Sequence, residues 1–96
     1  IGAAATFGEG RDSIVGCIHP KSILDAIDAI ISSATTPLDA IFISCTSLKC
    51  ATIIAIAEAQ YGIPVISSNS AIAWDMARLA RLAMPANEKG LLFQQD

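Results

Sequence analysis

The run Ala40-Ile-Phe-Ile43, entered from Asp39 and left through Ser44-Cys45-Thr46-Ser47, constrains this chain more than any other stretch. Four apolar residues bounded by polar ones predict a short strand covered on both faces of a parallel sheet. Four small residues follow, each bearing a hydroxyl or thiol, and then a long apolar helical segment opens at Leu48. A strand, turn and helix in that order place Cys45 at the carboxyl edge of the sheet and close to a helix N-terminus. Ligands of open α/β sheets bind at that edge. Unsatisfied amides and the helix dipole there favour anions and thiolates.

The flanking segments extend the pattern. Pro20 suits a first helical turn, with His19 just ahead of it. Leu24, Ile27 and Ile31, joined by Ile23 and Ile30, recur at helical spacing opposite Lys21, Asp25 and Asp28. A helix is predicted from Pro20 to Ser33, closed by Thr35-Thr36-Pro37. The helix from Leu48 to Tyr61 is apolar almost all round, which predicts burial on more than one side. Gly62 is placed to stop it at C′, and Pro64 forbids continuation. Ile63 to Ile66 reads as a second buried strand. Ser67-Ser68-Asn69-Ser70 supplies N-cap candidates for a last helix, from Ser70 to Ala83. Its expected core stripe is Ile72, Met76, Leu79 and Ala83, with Arg78 and Arg81 outward and Pro85 ending it, before a tail over 86–96. Upstream, Ala3 to Phe7 is a weak strand candidate and Gly8 to Ser13 a loop. Ile14 to Ile18, interrupted by Gly16, reads as a loop or an irregular strand. Gly8-x-Gly10 lacks the third glycine that opens a helix in a dinucleotide fingerprint. The order is α/β: a partial, Rossmann-like lobe with a short parallel sheet and flanking helices.

Composition narrows the function classes. For 96 residues, an apolar fraction of 53% with 16% charge is high. A domain this small has much surface to solvate, so another domain or subunit is expected to cover part of it, and a homo-oligomer is one such arrangement. A net charge of −3 with scattered basic residues argues against nucleic acid. No uncharged stretch is apolar over the ~20 residues a membrane span needs. Three cysteines, none in a C-x-x-C pair, point away from a disulfide scaffold and toward free thiols in a reducing cytoplasm. The chain opens at Ile1 without a basic, signal-like segment, so further sequence is expected before it. With unpaired cysteine spacing and a single histidine, no zinc site is expected.

Cys45 is the leading candidate for chemistry. As a thiolate it is a nucleophile or an acid/base, and the amides after it suit a carboxylate or enolate oxygen. Cys50 and Cys17 read as packing residues, and His19 as a cap or surface residue rather than a general base. A Ser-His-Asp hydrolase lacks its G-x-S-x-G elbow. The Ser67-Ser68-Asn69 turn ends the second strand and should lie beside the Cys45 turn, capping its helix and, as a second role, touching a ligand. On these residues alone two readings stand: a cysteine enzyme, or a non-catalytic ligand-binding or oligomerisation module.

Asp39-Ala-Ile-Phe-Ile-Ser-Cys-Thr-Ser-Leu-Lys49, then Tyr61-Gly-Ile-Pro-Val-Ile-Ser-Ser-Asn69, then Ala71-Ile-Ala-Trp74, carry a resemblance. In that order, over Phe7 to Arg81, they resemble the C-terminal half of the aspartate/glutamate/hydantoin racemase superfamily. The nearest branch is the maleate cis-trans isomerase and arylmalonate decarboxylase group, with ectoine-utilisation racemase-like proteins. The resemblance implies a cofactor-independent enzyme of two similar lobes, with the active site between them and a cysteine offered by each; the decarboxylases keep only the second. It assigns catalysis to Cys45 and contacts with a small carboxylate to Thr46 and Ser47, with Asp12 as a further contact position; Asn69 joins them as a candidate contact from the Ser67-Ser68-Asn69 turn. Asp12 stands where isomerases often have asparagine, and Cys17 where arginine is common. The N-terminal lobe is absent from the chain, so residues 1–96 are expected to be a partial C-terminal lobe that a missing lobe or partner subunit completes.

Overall fold

Two parallel strands, β1 (Ile41–Ile43) and β2 (Val65–Ser67), form the sheet in a computed structural model that describes residues 1–83 and 90–95. Ile41 pairs with Val65, Phe42 with Ile66 and Ile43 with Ser67. Four helices accompany them: α1 (Asp12–Val15), α2 (Pro20–Ser33), α3 (Ala51–Tyr61) and α4 (Ser68–Leu79). A 3-10 turn, Leu91–Gln94, follows. This is the expected α/β class.

Helix α2 runs over the predicted residues because both ends are written locally. Pro20 occupies its first turn, and His19 Nδ1 accepts the Lys21 N–H at 3.1 Å, so His19 is the N-cap. Helix α3 ends where Gly62 takes φ +70 and donates its N–H to the Glu58 carbonyl at 2.8 Å. That left-handed cap is what glycine permits at low cost. Helix α4 begins with a reciprocal capping box. Ser67 Oγ accepts the Ser70 N–H at 3.0 Å, and Ser70 Oγ accepts the Ser67 N–H at 2.9 Å.

The core lies between one face of the sheet and the helices α2 and α3. Ile41 and Val65 point into it together with Ile23, Ile27, Ile53, Ile54 and Ala57. Burying a side chain such as Ile23, Ile53 or Val65 stabilises the fold by about 1.5–3 kcal/mol. One polar side chain enters this region with its partners supplied. The buried Glu58 carboxylate accepts the Val65 N–H at 3.0 Å and the Leu91 N–H at 2.9 Å, tying α3 to the start of β2 and to the C-terminal turn.

Several expectations are corrected. Residues 3–7 form no strand: alanines offer little to pack on a pleated surface, and Thr6 Oγ takes the Gly8 N–H at 3.0 Å, a local bond that competes with a ladder. The expected loop or strand at Ile14 starts instead as the one-turn helix α1, with Asp12 in its acid-favouring first turn. Helix α3 starts at Ala51 rather than Leu48 because Leu48 is buried, and the chain turns over 46–48 to put it there. Phe42 is 63% exposed while Ile66 beside it is half-buried, so among the described residues the second face of the sheet is only partly covered. Helix α3 likewise leaves Ile56 on an open side. In α4 the expected core stripe is inverted. Ile72, Met76 and Leu79 are exposed, as is Ala83 beyond its end, while Ala77 is buried. Pro85 and the start of the tail fall outside the described residues.

Candidate functional site

The parallel register decides what meets at the carboxyl edge. Because Ile43 is level with Ser67, the residues that follow each strand emerge side by side, and two hydrogen bonds join them. The Cys45 N–H donates to Ser68 Oγ at 3.1 Å, and Asn69 Nδ2 donates to the Thr46 carbonyl at 2.9 Å. The expected adjacency of the two turns is therefore present.

Cys45 sits two residues beyond β1 with φ +143, a region that residues other than glycine rarely occupy. Such a conformation costs on the order of 1–3 kcal/mol and persists where surrounding bonds over-determine it. Ser68 holds the peptide before Cys45, and Asn69 holds the Thr46–Ser47 peptide, one removed on the other side. The Cys45 side chain is half-buried and lines one end of a cleft of about 290 Å³. The cleft runs between the 5–9 segment, α2 and β1, past Ile27, Ile30 and Ile43, so apolar groups make most of its wall, with Thr6, Glu9, Ser44 and Cys45 its polar side chains.

Because the helix that follows starts at Ala51, with Cys50 at the N-cap, rather than at Leu48, the Thr46 and Ser47 amides do not stand at its N-terminus as expected. Thr46 and Ser47 form an open turn instead. No hydrogen bond among the described residues takes up their backbone amides, which leaves two donors beside Cys45. The N-terminus that touches the cysteine is that of α4, through Ser68.

The other candidates separate clearly. Asp12 opens α1, and a Cβ on Gly16 would approach the Ser47 carbonyl to 3.8 Å, so the far end of that short helix lies against the turn. No hydrogen bond among the described residues joins the Asp12 side chain to it. Asn69 is exposed and its amide nitrogen is engaged with Thr46. Cys50 is buried, as expected; burial first, and the neighbouring Cys45 second, push its thiol above the ordinary value of 9.0. Cys17 is exposed rather than buried, because it follows α1 on the solvent side, with its thiol donating to the Ser13 carbonyl at 3.3 Å. Glu9 lines the cleft, and Arg11 hydrogen-bonds it and holds its carboxyl below the usual range. Among the described residues no three or more of His, Cys, Asp and Glu cluster as metal ligands. No described helix is long and apolar enough to cross a membrane.

Sequence reasoning had no signal for the φ of Cys45 or for Ser68 as its partner. Both follow from the strand register, which a single sequence does not display.

Comparison with known proteins bears on this geometry. Residues 13–93 match the profile of a family described as arylmalonate decarboxylase. Among solved structures, the Gly74Cys mutant of arylmalonate decarboxylase in its sulfate-associated form superposes with a TM-score of 0.79 at 26% identity, covering 95% of this chain and 39% of that one. A crystal structure of arylmalonate decarboxylase gives 0.78 at 26% identity, covering 95% and 40%. The chain thus spans about two-fifths of the length of these solved relatives. No curated protein sequence matches it.

Proposed function

Because this chain belongs to the arylmalonate decarboxylase family, a branch of the aspartate/glutamate/hydantoin racemase superfamily, we propose that it acts as a cysteine-dependent decarboxylase or racemase of a small carboxylate, without a cofactor. The observation that carries this reading is Cys45, held in a strained conformation at the carboxyl edge of the sheet, at the end of an apolar cleft and beside two open amides. Backbone strain of this kind collects at active sites.

The chemistry follows from charge. Loss of carbon dioxide from a malonate-type carboxylate, or transfer of an α-proton to a base on the companion lobe, leaves an electron pair shared between the α-carbon and the remaining carboxylate as an enediolate. Amides of Thr46 and Ser47 are the donors that stabilise such an oxyanion. The Cys45 thiol then gives its proton to the α-carbon, and the resulting thiolate is reprotonated from solvent. An apolar substituent on that carbon fits the isoleucine-lined cleft. The first cysteine and the opposite wall of the site belong, in this reading, to a companion lobe of the kind that makes up the rest of the longer relatives.

Exposed apolar side chains on α4 favour a second reading, a binding or oligomerisation module that keeps the fold without the chemistry. One substitution separates the two. In the protein at its full natural length, Cys45→Ser lowers carbon dioxide release from phenylmalonate by on the order of 10³-fold or more if the thiol is the proton donor. Unchanged turnover leaves the binding module.

A further inference from the structure

We propose that Ser68 is a positioning residue for the Cys45 thiol, holding the cysteine in its left-handed conformation; the proposal rests on the catalytic reading of Cys45 above. Three serines surround the start of α4, and their hydroxyls are not equivalent. Ser67 and Ser70 are spent on each other: Ser67 Oγ accepts the Ser70 N–H, while Ser70 Oγ accepts the Ser67 N–H and donates to the Ser67 carbonyl at 3.1 Å. The helix is therefore capped without Ser68. The Ser68 hydroxyl reaches across to the other strand's turn and accepts the Cys45 N–H at 3.1 Å.

That N–H belongs to the residue whose φ is +143. With that N–H held by Ser68, rotation about N–Cα toward negative φ turns the Cα–Cβ bond relative to the fixed peptide and moves Sγ out of the cleft wall. Asn69 restrains the Thr46–Ser47 peptide, one beyond, through the Thr46 carbonyl, so the turn is pinned before and after the strained residue. Ser68 acts through Cys45 and not on the substrate. Removing its acceptor should leave binding intact and misplace the proton donor.

Threonine and valine at position 68 have nearly the same shape, and threonine alone keeps the acceptor oxygen. The test measures kcat and KM for phenylmalonate in full-length Ser68→Thr and Ser68→Val, with the iodoacetamide alkylation rate of Cys45 followed by peptide mass spectrometry. Alkylation of the exposed Cys17 serves as the internal reference. Loss of one hydrogen bond predicts that Ser68→Val lowers kcat by roughly fivefold to thirtyfold. KM should stay within about twofold, Cys45 alkylation should change severalfold against Cys17, and Ser68→Thr should restore all three toward wild type. Equal behaviour of the two variants overturns the proposal, including the case in which both lose activity together. If Cys45→Ser retains turnover, the catalytic reading fails instead; the alkylation contrast between threonine and valine then decides the positioning role by itself.

Discussion

The two faces of the sheet are built from alternate residues of the same six-residue ladder, yet they meet different fates. Ile41 and Val65 look toward α2 and α3 and are almost fully buried, whereas Phe42, one residue along, is 63% exposed. Parallel sheets are stable when helices cover both faces. Here the covered face holds the fold, while Phe42 on the other face and Ile72, Met76 and Leu79 of α4 are apolar side chains for which the described residues provide no cover. The fold thus rests on one side of the sheet, while Cys45 stands at its edge.

That contrast is open to measurement. The largest effect belongs to the covered face: Ile53→Ala should cost about 2–5 kcal/mol in urea unfolding, the range for truncating a buried isoleucine. Glu58→Leu should cost about 1–3 kcal/mol, because it strips the acceptor from the Val65 and Leu91 amides in a buried setting. Gly90→Ala attacks the same junction from the other side. Its φ is +94 and a Cβ would stand 2.8 Å from Ile54 Cγ2, so a comparable loss of about 1–3 kcal/mol is expected. On the exposed side of α4 Met76→Ser should change stability by less than about 0.5 kcal/mol. A loss as large as that of Ile53→Ala would show that α4 is covered after all.

Two thiols five residues apart sharpen the comparison by pH. Cys50 is buried and its thiol is raised, so the folded chain favours the neutral form. The unfolded chain begins to ionise near the ordinary value of 9.0 while the folded thiol does not, so this contribution is full below pH 9 and is lost as pH climbs through the raised folded value. Tyr61, raised chiefly by its hydrogen bond to Asp28, works in the same direction. Urea midpoints should fall above pH 9, and less so in Cys50→Ala measured against its own neutral-pH value; equal falls would mean that Cys50 does not contribute.

How much of this was legible depends on where the information sits. Helix α2, the C-terminus of α3 and the N-terminus of α4 are encoded by neighbours in sequence, namely Pro20, His19, Gly62 and Ser67, and they lie close to where those residues predict, whereas α4 stops at Leu79 rather than at Ala83. The meeting of the two turns was legible too, since parallel strands joined by a helix must bring their carboxyl ends together. Periodicity failed for Ile72, Met76 and Leu79 because it finds an apolar stripe and not what covers it. It misjudged Cys17 for a related reason, reading a buried run where α1 turns the thiol outward. The start of α3 was misplaced because Leu48 serves the core from a turn. The conformation of Cys45 left no trace in the sequence: a positive φ at a non-glycine residue is imposed by Ser68 and Asn69, more than twenty positions away.

The central claim is that the two turns surround a carboxylate site with Cys45 at its centre. Its most direct measurement is iodoacetamide alkylation of the full-length protein with and without phenylmalonate, read separately at Cys45 and Cys17. A ligand seated on the Thr46 and Ser47 amides shields Cys45 and leaves Cys17 reacting at its unliganded rate. Equal alkylation of Cys45 with and without a saturating arylmalonate would contradict the account.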